Sequence, residues 1–219
     1  MTLRVKVNLP NHVYHLAEET NWPLIQQYGF LPAADLIARA GLSEADRARL
    51  TRSQRPNHIV LPSGVAIRDQ RPMPATALRA CLVGMKPADW YALVNARVFF
   101  WLDPDRLNRQ RAACRARPQV VLSLDAAGLL ASYGDRATVS PINSGNARRR
   151  PARRGAATFV PYAAWVDSGW ANEALALGIK ERKRSHPPAE LTIVGAIPDA
   201  MRYVLSASRL AAGERFIPG

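Results

Sequence analysis

The run Ala189-Glu190-Leu191-Thr192-Ile193-Val194 places a single carboxylate among β-forming residues that otherwise lack charge. A carboxylate fixed in a strand can stabilise positive charge that develops beside it in a transition state. Taken alone, an acid at a strand start is more often solvated or ion-paired. Near the other end of the chain, Val13-Tyr14-His15-Leu16 is a brief apolar run carrying one imidazole. Thr20 and Asn21 can cap a helix, Pro23 suits its first turn, and Leu24, Ile25 and Tyr28 share one face. Gly29 can take the left-handed conformation that stops such a helix. A strand bearing His15 therefore runs into a helix whose start presents Asn21, and such a corner can hold a polar ligand. In isolation, His15 reads as a satisfied core histidine and Asn21 as a helix cap.

The elements that must position these residues follow from periodicity. Leu3, Val5, Val7 and Leu9 alternate with Arg4, Lys6 and Asn8, which predicts a half-buried strand before the one carrying His15. Helices are expected over 33–40 and from a Ser43 cap to about Arg52. Ile59-Val60-Leu61 and Val65-Ala66-Ile67 flank Pro62-Ser63-Gly64, a hairpin pattern. Helices follow over about 75–82 and 88–95, and Arg97-Val98-Phe99-Phe100-Trp101 is the strongest strand signal in the chain. Asp103-Pro104 opens an arginine-rich helix, 119–124 reads as a strand, and 126–131 reads as a short helix. Strands interrupted by helices, without regular βαβ alternation, indicate an α+β fold in one domain spanning 1–219. No internal repeat is visible.

The 219 residues are 48% hydrophobic, enough for a domain that buries about 70% of its unfolded surface. No apolar run approaches the roughly 20 residues that cross a bilayer, and the first residues read as a strand, not a signal peptide. Two cysteines make no disulfide framework, and neither they nor His12, His58 and His186 have metal-ligand spacing. The expectation is a cytoplasmic protein with reduced thiols, no metal and no membrane partner. There is no GxGxxG and no Walker loop. Charge is the outlier: 30 Lys and Arg against 17 Asp and Glu leave a formal +13. Such a field concentrates phosphate-bearing ligands, although an Arg-rich solvated surface gives the same count. The excess gathers in Arg148, Arg149, Arg150, Arg153 and Arg154, in a basic loop at about 141–157, and in Lys180, Lys183 and Arg184. Five arginines in seven residues predict a mobile, exposed loop that tracks nucleic acid.

The string YHLAEETNWPLIQQYGFL resembles the opening motif of the DarT-type ADP-ribosyltransferase toxins and of a related uncharacterised bacterial family. The Glu190 run resembles the strand that carries the catalytic glutamate in that superfamily. The resemblance implies a split central β-sheet with flanking helices, and cleavage of the nicotinamide–ribose bond of NAD, with ADP-ribose passing to an acceptor. It makes Glu190 the group that stabilises the oxocarbenium-like state. His15 would hold a ribose hydroxyl, with Tyr14 packed on a planar group and Asn21 as a further contact. His15 and Tyr14 are expected within contact distance of Glu190 across adjacent strands. The family pattern has an arginine between the first motif and the central aromatic strand. Arg55, Arg68 and Arg71 compete for it; Arg68 follows a strand and can clamp a diphosphate bidentately, with Asp69 and Gln70 orienting it. Asn143-Ser144-Gly145 offers small polar side chains and a flexible backbone, either as an ordinary turn or with Asn143 and Ser144 as further NAD contacts. The acceptor so implied is a nucleic-acid base, DNA ahead of RNA, in a toxin or defence effector. A partner antitoxin or an ADP-ribosyl-removing hydrolase would accompany it. The aromatic strand and the Arg-Asp-Gln run look more like the uncharacterised relatives, which opens a protein acceptor. The alternatives are an RNA 2′-phosphotransferase and a non-catalytic nucleic-acid-binding protein.

Overall fold

A computed structural model describes residues 9–114, 117–148 and 151–219. Most of the N-terminal alternating run, Leu3 to Asn8, lies outside them, as do Arg115, Arg149 and Arg150. β1 (His12–Glu18) leads through a 3-10 turn at Glu19–Asn21 into α1 (Trp22–Tyr28). Two helices follow, α2 (Ala33–Ala38) and α3 (Glu44–Arg52). The predicted hairpin is β2 (Ile59–Val60) and β3 (Ala66–Ile67), antiparallel in register. Next come α4 (Ala75–Cys81), α5 (Pro87–Asn95), β4 (Arg97–Trp101), α6 (Pro104–Ala113), β5 (Gln119–Asp125) and α7 (Ala126–Tyr133). The chain finishes with β6 (Ala137–Ser140), β7 (Val160–Pro161), α8 (Tyr162–Ser168), α9 (Ala171–Leu177), β8 (Glu190–Val194) and β9 (Val204–Leu210).

Among the described residues, seven strands form one antiparallel sheet in the order β7-β6-β8-β4-β1-β5-β9. Its middle is nearly open. β1 pairs with β5 along its whole length and β4 pairs with β8 along its whole length, but β1 and β4 meet only at Tyr14 and Trp101. The fold is therefore α+β with a split central sheet.

Alternation along each strand sorts the two faces. Val13, Ala17, Phe100, Leu122 and Leu191 face one main core, closed by Trp22 and Ile25 of α1, Leu129 of α7 and Trp165 of α8. On the other face Tyr14, Leu16, Trp101 and Val121 pack with Leu107 of α6 and with Phe216. Phe99 packs beside a cluster of α4 and α5 that includes Trp90 and Phe159. The β2–β3 hairpin packs under α2 and α3 through Ile37, Leu50, Leu61 and Ile67. The Ser43 and Asp103 caps predicted from sequence form, each side chain accepting a first-turn backbone N–H. β6 and β9 carry no comparable sequence signal, because β6 is four residues long and β9 is exposed along most of its length. Among the described residues no helix is long and apolar enough to cross a membrane.

Candidate active site

A cavity of about 280 Å³ follows the split in the sheet. His15, Arg68, Arg97, Asn143, Ser144 and Glu190 are among its lining residues. The two ends of the sequence that carried the chemical signals thus border one space.

Glu190 opens β8 and stands in one row with Trp101 of β4 and Ser140 of β6. Its side chain is only 4% exposed. The segment leaving β6 turns back at once: the Ser140 hydroxyl donates to the Ile142 carbonyl at 2.9 Å, and Asn146 N–H donates to the Asn143 carbonyl at 3.3 Å. Because β6 pairs with β8, this turn arrives over the start of β8. There the Ser144 N–H donates to both oxygens of Glu190, each at 3.2 Å. Burial pushes the Glu190 carboxyl up to about 7, against the hydrogen bonds from Ser144 and the charges of Arg154 and Arg106. A carboxyl so placed titrates near neutrality, where a general acid or base works best.

His15 is reached differently. By alternation its ring turns to the face opposite Glu190, against Phe30 at 4.3 Å and Phe100 at 5.7 Å between centroids. Its Nδ1 bonds the Phe99 carbonyl at 2.9 Å, across the gap where β1 and β4 have parted. A carbonyl only accepts, so Nδ1 carries the proton and Nε2 is left as an acceptor. Burial lowers the ring's pKa to about 4, the Phe99 bond opposing and the Arg68 charge adding to the shift. The imidazole is therefore neutral at physiological pH. β4 lies between β1 and β8, and alternation turns the two side chains to opposite faces, so the expected contact of His15 with Glu190 across adjacent strands is not made; what they share is the border of one cavity.

Tyr14 departs from its expected role. It occupies Glu190's row, but its ring packs edge-on against Phe216 at 5.4 Å within the apolar cluster on that face. That contact takes up the ring expected to pack on a planar ligand. Asn21 holds the N-cap position of α1 and lines the cavity, but its side chain is engaged elsewhere: its amide donates to the Ala66 carbonyl at 2.8 Å and accepts from the Ala66 N–H at 2.9 Å. No side-chain capping bond forms at the start of α1. Both polar groups of Asn21 are spent holding β3, which delivers Arg68 two residues later.

Among the three competing arginines the surroundings differ. Arg55 is buried and donates to the carbonyls of Arg68 and Leu50, so its guanidinium braces the loop. Arg71 is exposed and bonds the Pro56 carbonyl and Asn57. Arg55, Arg68 and Gln70 all line the cavity, and of the two arginines only Arg68 keeps a buried nitrogen, Nη2, with no partner. Asp69 and Gln70 do not orient it: Asp69 accepts from Arg71 N–H, and Gln70 bonds Arg55 N–H and Asn95. The orienting group is Glu18, a residue that sequence reasoning passed over, at 3.4 Å from Arg68 Nε and also paired with Arg117 at 3.1 Å. Its signal was present, as an acid closing the His15 strand. Arg97 was also missed; its guanidinium lies 4.4 Å from the centre of the Phe159 ring at the cavity wall.

The basic run does not behave as one unit. Arg148, Arg153, Lys180 and Lys183 are exposed. Arg184 is half-buried and donates to the Val166 and Asp167 carbonyls in the last turn of α8. Arg154 is 1% exposed, which removes it from any nucleic-acid surface and corrects the expectation of a wholly exposed loop. A parallel bridge to Leu82 draws its backbone inward. The Arg153 guanidinium reaches the Gly178 turn, close to Lys180, so the two basic segments adjoin. Arg149 and Arg150 lie outside the described residues. Among those described, no group of three or more His, Cys, Asp and Glu could hold a metal ion, and Cys81 and Cys114 are free thiols.

Comparison with solved structures finds similarity to Thermus sp. 2.9 DarT in complex with ADP-ribosylated ssDNA. The two are 12% identical, the match covers 94% of this chain and 86% of that one, and the TM-score is 0.43. A search of curated proteins finds no match. Residues 11–204 match the model of a family described as a family of unknown function, DUF7002. That span takes in β1 and the His15 corner, the split sheet and the Glu190 strand, and the chain belongs to the DUF7002 family.

Proposed function

We propose that the protein is an NAD-dependent ADP-ribosyltransferase that modifies a nucleic-acid base, with DNA as the favoured acceptor. The observation that carries the reading is the buried Glu190 carboxyl, held by the Ser144 N–H at one side of a cavity that His15 and Arg68 also line. The resemblance of the His15 and Glu190 segments to the transferase motifs supports it. Arg68 fits the diphosphate of NAD: its guanidinium keeps a buried donor without a partner, and Glu18 fixes its orientation. The neutral His15 can accept a ribose hydroxyl at Nε2.

In the reaction the bond between the nicotinamide nitrogen and ribose C1′ breaks, and its electron pair leaves with nicotinamide. Positive charge then develops on C1′ and the ring oxygen. The ionised Glu190 carboxylate, preorganised in a site largely shielded from water, stabilises that charge. An acceptor nitrogen bonds to C1′ and gives up a proton, for which Glu190 is the available base. A carboxyl with a pKa of about 7 loses its stabilising charge as the pH falls below neutrality, so the rate should fall on the acid side. The formal +13 and the exposed Arg148, Arg153, Lys180 and Lys183 favour a phosphate-rich acceptor.

The test is incubation with adenine-labelled NAD and separate pools of DNA, RNA and protein, with nicotinamide release followed in parallel. Label on DNA, lost in Glu190→Gln, is the expected result. Label confined to protein would keep the transferase and discard the acceptor. No nicotinamide release by the wild-type protein, or equal release by Glu190→Gln, would refute the reading.

A further inference from the structure

The interior of the basic loop holds a group that the chemistry above leaves unused. Arg154 is one of the largest fully buried side chains in the protein. Its backbone is clamped to the end of α4, where its N–H donates to the Cys81 carbonyl at 2.9 Å and its own carbonyl accepts from Val83 N–H at 2.8 Å. Its Nε donates to the Ala152 carbonyl at 3.1 Å, and its guanidinium stands 5.7 Å from the centre of the Trp90 ring. The remaining arm of the fork is aimed at the turn over Glu190: Nη1 donates to the Ser144 carbonyl at 3.2 Å. Ser144 is the residue whose N–H meets both Glu190 oxygens.

We propose that Arg154 is a positioning residue of the active site, gripping the Ser144 carbonyl so that the Ser144 N–H stays aimed at the Glu190 carboxylate. The proposal rests on the reading of Glu190 given above. A planar fork anchored on two carbonyls leaves Ser144 little freedom to rotate, and its fixed charge stands behind a carboxyl that burial alone would keep protonated. Lysine supplies the charge as a point on a flexible stem and does not reproduce the fork.

The other groups around Glu190 are few. Arg106 acts on it from α6, while its row neighbours on β4 and β6, Trp101 and Ser140, are uncharged. The Cys81 thiol lies beyond Arg154, and His15 and Arg68 line the cavity elsewhere. Arg154 is thus the charged group with both a hydrogen-bonded path to the carboxyl and a direct electrostatic effect on it.

The test uses the full chain and two readouts. The Glu190 carboxyl is titrated by carbon-13 NMR, its signal assigned by its loss in Glu190→Gln, in wild-type, Arg154→Lys and Arg154→Met proteins checked for folding by near-UV circular dichroism. The pH profile of nicotinamide release is recorded on the same samples. Arg154→Met is expected to raise the Glu190 midpoint by about one unit or more, and to carry the acid limb of the profile up with it. Arg154→Lys should fall between the two in midpoint and lose rate in kcat more than in KM. A folded Arg154→Met with an unmoved midpoint overturns the proposal. If Arg154→Met does not fold, an Arg154→Lys protein with wild-type midpoint and kcat overturns it equally. Should wild-type protein release no nicotinamide, the functional reading fails while the NMR titration still decides the role of Arg154.

Discussion

Replacing Glu190 by Gln should stabilise the fold at neutral pH while abolishing transfer. Burial raises the carboxyl from 4.5 to about 7. Between those values the folded state binds more protons than the unfolded state, so stability falls as pH rises through that window. At about 1.4 kcal/mol per pKa unit, ionising the buried group costs roughly 3 kcal/mol once it is charged in both states. Gln keeps an oxygen to accept from Ser144 N–H and carries no charge. The two proteins should therefore unfold alike near pH 4 and differ by about 3 kcal/mol at pH 8, or about 6–12 °C in Tm for a chain of this size. His15 titrates in the opposite sense, but it is present in both proteins and cancels. Urea unfolding at pH 4 and at pH 8, followed by circular dichroism, measures the difference. A gap that is the same at both pH values, or a wild-type protein that is the more stable at pH 8, refutes the claim that Glu190 is held at a cost for its chemistry.

His15 is buried and neutral, with its pKa lowered from 6.5 to about 4, so its stabilising contribution is complete above pH 6.5 and is lost as the pH falls towards 4. His15→Phe keeps a ring against Phe30 and Phe100, and in urea titrations it should lose less stability across that window; equal acid sensitivity would contradict a buried neutral imidazole. Asn21→Ala removes both bonds to Ala66 and should cost about 1–3 kcal/mol in chemical denaturation, with the KM for NAD raised more than kcat is lowered. An Asn21→Ala protein of wild-type stability would deny Asn21 its place in holding β3. Changing Arg148 and Arg153 together to Ser should reduce the slope of log affinity against log salt for oligonucleotides by about 0.7–0.9 per lost phosphate contact. An unchanged slope would make these arginines plain solvated surface.

The sequence by itself determined the parts whose causes are local. The hairpin at 59–67, the caps at Ser43 and Asp103, the aromatic strand and the Glu190 strand all rest on turn chemistry or periodicity within a few residues. Gly29 ends α1 with φ of 72°, as its residue type predicts. Only the fold shows that a Cβ there would also stand 2.0 Å from the Ile197 carbonyl oxygen. The tertiary structure alone decided the strand order, which sets β4 between β1 and β8, and the single Tyr14–Trp101 contact that leaves the sheet open for a cavity. That opening brings His15 and Glu190 to one space although alternation turns them to opposite faces, and Phe216 takes the Tyr14 ring away from it. The arginines make the division plainest. In sequence Arg148 and Arg154 are equivalent members of a basic run, yet one is exposed and the other lies behind Ser144 with its guanidinium hydrogen-bonded to carbonyls. Composition fixes how many charges the chain carries; which of them is buried depends on the carbonyls and rings that distant segments bring within reach, and no local pattern encodes that.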